Sequence, residues 1–402
     1  MPKSEVMACE ISIAPSQFDP GERLRMRAYL ACVVLAVCVV VAFGWPQGRI
    51  SLARELFIDG TAHDLVPIRW VTVAPNGTIA VAQEHDFAVR FFGANGQNLG
   101  SVGRRGSGPG EFQSLLGAGW VADTLWVHDR TQSRVSLIVA RTTHRSGRML
   151  AAATLTASGR TTEFRDLTPL ALYAGGAMFV AGSVAGLPAG HPDRNARAHL
   201  IIDSAGVVQR QLLSVPPPAV VEIGTAGAML PFPNPTLAVT DPDGRKVATA
   251  TATVAGPGAG TFRVLMQTTR GDTVYMRSYR FRGAPVERAY ADSVIDARVR
   301  GLQQRNPELA AALRRAAAVP EFHPPLRSLI LGRDGALWIR IRADAPTDPR
   351  YVLLDPAGSL VGSLIVPDGV TIVQGTGTAV WTIEENADDI ESVGRYRVVL
   401  GR

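Results

Sequence analysis

Three cysteines occur in the 402 residues, Cys9, Cys32 and Cys38, and all of them precede the part of the chain that carries regular patterning. No disulfide can therefore staple the main domain. It has to rely on an apolar core, which a domain of this size can do even in an oxidising compartment. Lysine is almost missing: Lys3 and Lys246 are the two lysines, so the formal charge of +6 is carried by arginines. These are scattered, the longest basic runs being Arg104-Arg105 and Arg314-Arg315. No cluster or stripe of the kind that tracks a phosphate backbone is present, which argues against nucleic acid as a partner.

Long apolar runs are missing too, with one exception. Ala28 to Gly44, AYLACVVLAVCVVVAFG, holds seventeen residues without a charge and follows Arg23, Arg25 and Arg27. It reads as a membrane-targeting helix over 28–45, short for a hydrocarbon core of about 30 Å and long for a signal-peptide apolar region. A cleaved signal and a signal-anchor both stay open. Ala42 and Gly44 supply small residues for a cleavage before Trp45, whereas the cytoplasmic leader over 1–27 is long for a cleaved signal unless the true start is Met26. Val37 before Cys38 is too bulky for a lipoprotein site. The positive flank stays cytoplasmic, so everything after Trp45 is exported, either anchored to the membrane by this helix or periplasmic or secreted after cleavage.

What is abundant is glycine and proline, 40 and 27 residues, set among valine and threonine. That composition favours many short strands joined by tight turns. From Ile50 onward one pattern recurs: apolar strand, two-residue turn, strand, polar loop, third strand, turn, fourth strand. The first copy has IRWVTV, the turn Asn76-Gly77, TIAVAQ, the loop Glu84-His85-Asp86 and FAVRFF. Later copies turn at Ala122-Asp123, Gly175-Gly176, Asp243-Gly244 and Asp334-Gly335. Six copies can be read across 48–402, and repeats of four strands at this spacing predict an all-β, six-bladed β-propeller. A small helical insert at about 288–319 interrupts it, with Asn306 as N-cap and Pro307 at the first helical position. The sixth copy has only three strands. The stretch Gly48 to Leu56 belongs to no other copy and is expected to supply the missing outer strand.

At the first junction stands Gly103-Arg104-Arg105-Gly106-Ser107-Gly108-Pro109-Gly110-Glu111-Phe112. Here the chain resembles the NHL-repeat-like six-bladed β-propeller proteins, whose inter-blade segments carry a similar glycine-rich signature. The resemblance implies a ring with a central channel, and its members serve as binding modules, scaffolds or lyases; it implies no particular substrate.

Candidate chemistry is sparse. The glycine-rich segment lacks the Lys-Ser/Thr ending of a phosphate loop, and no G-x-S-x-G elbow occurs. Trp126, Trp338 and Trp381 recur at one place in second strands and are read as packing between blades. His85 and His128 fall after the second strands of consecutive copies, with Asp86 and Asp129 beside them as oxygen donors; they offer a zinc or calcium site for a metal-dependent lyase or hydrolase, though a metal needs at least three ligands. The favoured reading needs no cofactor: an extracytoplasmic binding or scaffold module for a protein, peptide or carbohydrate. In a propeller the loops between second and third strands and the inter-blade crossings emerge on one side. That face collects Glu84, His85, Asp86, Arg104, Arg105, His128, Asp129, Arg130, Arg340, Arg342, Glu384 and Glu385 as the candidate rim. The topology is open to a direct check: a reporter that works only outside the cytoplasm, fused after Arg402, is expected to be active, and a cytoplasm-only reporter silent.

Overall fold

Short runs of alternating apolar and polar residues, closed by turns such as Asn76-Gly77 with Gly77 at φ +86°, fold into antiparallel meanders. The structure is a computed structural model. It describes residues 48–401 apart from 66, 140–142, 151, 158–159, 189, 225, 255–259, 282 and 343–349. The leader over 1–27 and the membrane-targeting helix expected over 28–45 lie outside the described residues. Among the described residues, no helix is long and apolar enough to cross a membrane.

The described residues open with strand β1 (Arg49–Ile58) and a single-turn helix α1 (Gly60–His63). Strands β2 (Ile68–Val73), β3 (Ile79–Gln83), β4 (Ala88–Phe92) and β5 (Asn98–Val102) then form a four-stranded sheet. A second four-stranded sheet holds β6 (Gly117–Val121), β7 (Thr124–Asp129), β8 (Arg134–Val139) and β9 (Thr143–Met149). Five strands make the third sheet: β10 (Ala153–Ala157), β11 (Arg160–Leu172), β12 (Met178–Val184), β13 (Arg197–Ile202) and β14 (Val208–Val215). A separate hairpin follows, β15 (Val220–Ile223) with β16 (Ala226–Met229). Strands β17 (Leu237–Thr240), β18 (Lys246–Val254), β19 (Gly260–Thr268) and β20 (Thr273–Phe281) form another four-stranded sheet.

Helices α2 (Arg288–Gln303) and α3 (Pro307–Ala316) precede the last strands: β21 (Leu326–Leu331), β22 (Leu337–Ile341), β23 (Tyr351–Leu354), β24 (Leu360–Leu364), β25 (Val370–Gly375), β26 (Ala379–Glu385) and β27 (Glu391–Leu400). These seven join β1 in one eight-stranded sheet of order β21-β22-β23-β24-β1-β27-β26-β25.

The arrangement is propeller-like. Strands of successive four-stranded groups meet, β25 with β2, β2 with β6, β6 with β11, and β17 with β21. Apolar clusters fill the spaces between successive groups of strands. Ala80, Val89 and Phe91 meet Trp120, Leu125 and Val127. Trp126 packs with Phe164, Val180 and Leu200, and Phe179 and Ala171 pack on Val247. Phe262 and Met266 meet Leu329, Leu337 and Ile339. Trp338 packs with Ile372 and Val380, and Trp381 with Ile58, Val81 and Phe92. The three tryptophans thus lie in cores between successive groups of strands, as their repeated position suggests. Each fully buried valine, leucine, isoleucine, phenylalanine or methionine of these clusters stabilises by about 1.5–3 kcal/mol.

Strand β1 comes first in sequence yet pairs with the last strand. It runs antiparallel to β27 from Ile50↔Leu400 to Ile58↔Val393, with a bulge between Arg54 and Leu56. Two residues also reach β24 in parallel, Arg49↔Ser363 and Ile50↔Leu364. Ile50 and Ile58 are buried at its two ends. Between them Arg54 donates to Glu384 at 3.0 Å and to the Tyr396 hydroxyl at 2.9 Å, while Tyr396 donates to Glu384 at 2.7 Å. Gly394 makes room for this network, because a Cβ there would stand 2.1 Å from Glu384 Oε1.

The helical insert also forms as expected. Asn306 accepts from the Leu309 N–H at 3.0 Å, Pro307 opens α3, and Ile295, Val299, Ala310 and Leu313 join the two helices. Hairpin β15–β16, strand β10 and helix α1 were not anticipated. The hairpin packs against α3, with Ala228 and Leu230 on the helical cluster. Deleting 48–56 strips β27 of its outer partner and leaves it an open edge on β26, so a lower melting temperature and concentration-dependent aggregation are expected in thermal melts and light scattering. An unchanged melting temperature would show that β1 is dispensable.

Candidate functional site

The two ends of the strands differ. At one end are tight turns whose polar side chains hold their own backbone: Asp203 Oδ1 accepts from Ala205 and Val207, and Asp355 Oδ1 from Ala357 and Ser359. Arg333 ties several of them, donating to Asp243 at 2.9 Å and to the Val73 carbonyl at 3.1 Å. Its Nη2 is buried with no hydrogen-bond partner among the described residues. The other end carries the crossings between sheets and the loops joining second to third strands. Hairpin β15–β16, helices α2 and α3 and the start of the long strand β11 all belong to that end.

The residues expected to rim this face have unequal fates. Glu84, His85 and Asp86 are exposed in the β3–β4 turn, with Arg69 3.7 Å from Glu84 and Arg90 4.0 Å from Asp86. The glycine-rich crossing lies beside them, because Arg105 stacks its guanidinium 5.4 Å from the Phe87 ring centre. Arg104 pairs with Glu111 at 2.8 Å within that crossing, and Phe112 is fully buried. The structure therefore joins the first strand loop to the first crossing. Arg130 is exposed. Arg340, inside β22, and Arg342, just beyond it, are half-buried next to 343–349.

Three of the candidates need correcting. Asp129 is fully buried, and its carboxylate accepts from the Gln113 N–H at 2.7 Å, Ser114 Oγ at 2.9 Å, the Gln132 N–H at 3.1 Å and Gln132 Nε2 at 2.9 Å. It anchors the crossing and the following turn and is not a free rim carboxylate. Glu384 is engaged by Arg54 of the closing strand and by Tyr396 and Thr382 of β27 and β26. Its exposed neighbour Glu385 keeps the rim position.

His128 is likewise buried in β7 and is not a solvated loop residue. Its Nδ1 has no hydrogen-bond partner among the described residues. His85 is exposed, and among the described residues no group of three or more His, Cys, Asp or Glu side chains is placed to hold a metal ion.

The same end holds a cleft of about 500 Å3 that the sequence reading missed. Val220, Glu222 and Gly224 of hairpin β15–β16 form one side; His191, Pro192 and Asn195, from the loop between β12 and β13, form the other. That loop is a chain of turns, with Arg194 N–H donating to the His191 carbonyl at 3.0 Å and Ala196 N–H to Asp193 at 3.0 Å. Glu222 clamps it to the hairpin, accepting from Asn195 at 3.0 Å and meeting Arg194 at 3.3 Å. Along the hairpin Val220, Ile223 and Met229 are each more than a third exposed, from 36% to 38%. The run Pro216-Pro217-Pro218 marks an irregular segment in the sequence, but its pairing with a loop some thirty residues earlier leaves no local signal.

No protein-family model matches this chain, and no curated protein matches it by sequence. Solved structures that it is similar to include a member of the DUF4221 family from Bacteroides vulgatus, at 11% identity and a TM-score of 0.46, covering 89% of this chain and 100% of that one. A candidate exported protein from Bacteroides fragilis has 10% identity and a TM-score of 0.43, covering 88% and 96%. Catalytically inactive virginiamycin B lyase from Staphylococcus aureus has 10% identity and a TM-score of 0.39, covering 88% and 100%. Scores and identities this low transfer no function.

Burial holds the His128 imidazole down to about 4, against the attraction of Asp129. The unfolded chain binds a proton there below about pH 6.5 that the fold refuses, so this contribution is complete above that pH and falls by about 3 kcal/mol as the pH drops towards 4. His128→Gln is expected to flatten the dependence of melting temperature on pH between 6.5 and 4. An identical slope in the variant would place the sensitivity elsewhere.

Proposed function

We propose that the chain is an exported six-bladed β-propeller that works as a binding or scaffold module for a protein, peptide or carbohydrate outside the cytoplasm. The four-stranded groups β2–β5, β6–β9, β11–β14, β17–β20, β21–β24 and β25–β27 with β1 would be its blades, in the manner of NHL-repeat-like proteins. The clusters between successive groups support that count. Export rests on the charged flank and apolar run before Trp45.

One observation carries the binding reading: elaboration is confined to a single end of the strands. Turns at the opposite end are short, at most five residues between strands among the described residues, and several of their side chains are spent on their own backbone. All the extra structure, a hairpin, a helical pair and a shaped loop, has accumulated at the other end and encloses a cleft there. Loops on a rigid scaffold are where binding residues concentrate. The cleft and the neighbouring patch of Glu84–Asp86 with Arg105 are the parts of that face best placed to meet a ligand.

The test compares the two ends. Full-length protein in detergent, screened against peptide and glycan arrays, is expected to bind members of one of them. Asn195→Arg, which fills the cleft, should weaken that binding about tenfold or more. Ala357→Arg, on a turn of the opposite end, should leave it unchanged, and both variants should melt within a few degrees of the parent. Equal loss from both substitutions, or no array binding at all, would overturn the assignment.

A further inference from the structure

Hairpin β15–β16 is a two-stranded sheet, and its ladder decides which way each backbone group points. The Leu230 N–H donates to the Ala219 carbonyl at 2.9 Å. With Val220 opposite Met229 and Glu222 opposite Gly227, the pairs that exchange hydrogen bonds are Ala219 with Leu230, Val221 with Ala228 and Ile223 with Ala226. The N–H and C=O groups of Val220 and Glu222 then point away from β16. These two residues line the cleft together with Ala219 and Gly224. Among the described residues, no backbone hydrogen bond reaches that edge.

The edge is bounded at both ends. Pro216, Pro217 and Pro218 precede it and have no N–H to offer, so strand pairing cannot extend in that direction. Gly224, at φ +60°, turns the chain into β16 and ends it on the other side. What is left open is about four residues, some 13 Å of strand. Natural proteins blunt or cover such an edge. Here it faces the cleft, and the loop carrying His191 and Asn195 forms another wall.

Building on the binding face assigned above, we propose that this cleft takes an extended peptide of a partner protein, added as a third strand to the free edge of β15. Main-chain hydrogen bonds to Val220 and Glu222 supply the common recognition, as in other strand-addition sites. Side chains set the preference. Val220 and Glu222 project on one face of the hairpin, with exposed Met229 across from Val220. Two carboxylates on the lining loop and strand, Asp193 and Glu222, stand against one guanidinium, Arg194. An incoming strand is therefore matched by an apolar residue beside Val220 and a lysine or arginine beside Glu222, two positions apart.

The probe is the fluorescein-labelled peptide Thr-Val-Thr-Lys-Thr-Val-Thr, which presents that pattern in either strand direction, titrated into full-length protein and followed by anisotropy. Saturable binding is expected, weakened when glutamate replaces the lysine. Methylating the nitrogens of the valines and lysine, or those of the threonines, should abolish binding for one set and spare it for the other, because alternate residues face β15. Val220→Pro removes one edge-facing N–H and no hairpin hydrogen bond, so binding should fall about tenfold or more with the melting temperature held within a few degrees. The proposal is overturned by equal effects of the two methylated peptides, by unchanged binding in Val220→Pro, or by no peptide binding. Dimerisation that Val220→Pro abolishes, without peptide binding, would give the edge to a second copy of the chain. Glycan-array binding lost in Asn195→Arg, with no peptide bound, would sink strand addition and leave the binding face standing.

Discussion

The pairing of β1 with β27 is the constraint on which the rest depends. It joins residues 49–58 to residues 391–400, so the ends of the domain are held by one antiparallel ladder. Without it the last group of strands would present β27 as an open edge, and Trp381 would lose Ile58 from its cluster. The ladder itself does most of the holding. Arg54 is half exposed, and its ion pair with Glu384 is screened by water, so that pair is better understood as fixing register beside the bulge than as a large stabilising term.

Once the ends are joined, the two ends of the strands are free to differ. The turn end is occupied with its own geometry, and Arg333 links turns that are distant in sequence. The crossing end tolerates insertion because a longer connection between sheets costs little closure entropy. Helices α2 and α3 pack on hairpin β15–β16 through Ile295, Leu313 and Leu230. An insert that would otherwise be a loose loop becomes a support for one wall of the cleft.

This support also explains which charged residues were available for function. A carboxylate at the end of a second strand sits where a crossing must be fastened, and Asp129 is consumed there by four hydrogen bonds. Glu384 has the corresponding place in the last group and is taken up by the closing strand. Their neighbours in sequence, Arg130 and Glu385, are exposed. Spacing in the sequence marked the right positions along the strands but could not separate a fastening carboxylate from a solvent-facing one, since the partners of Asp129 come from the crossing at 113–114 and the turn at 132.

The sequence by itself determined the β class, the turn positions, the helical pair capped by Asn306 and the use of Gly48–Leu56 as a closing strand. Each of these follows from local chemistry: alternation with period two, glycine at left-handed turn positions, an Asn-Pro helix start, and a last copy one strand short. Only the tertiary structure decided the burial of His128 and Asp129, the engagement of Glu384, and the cleft between the 191–195 loop and β15. Those depend on which distant segment arrives against a residue, and the hydrogen-bond parity of a hairpin with four-residue strands cannot be read from its sequence. The open edge at Val220 and Glu222 exists because Leu230 pairs with Ala219 and not with its neighbour.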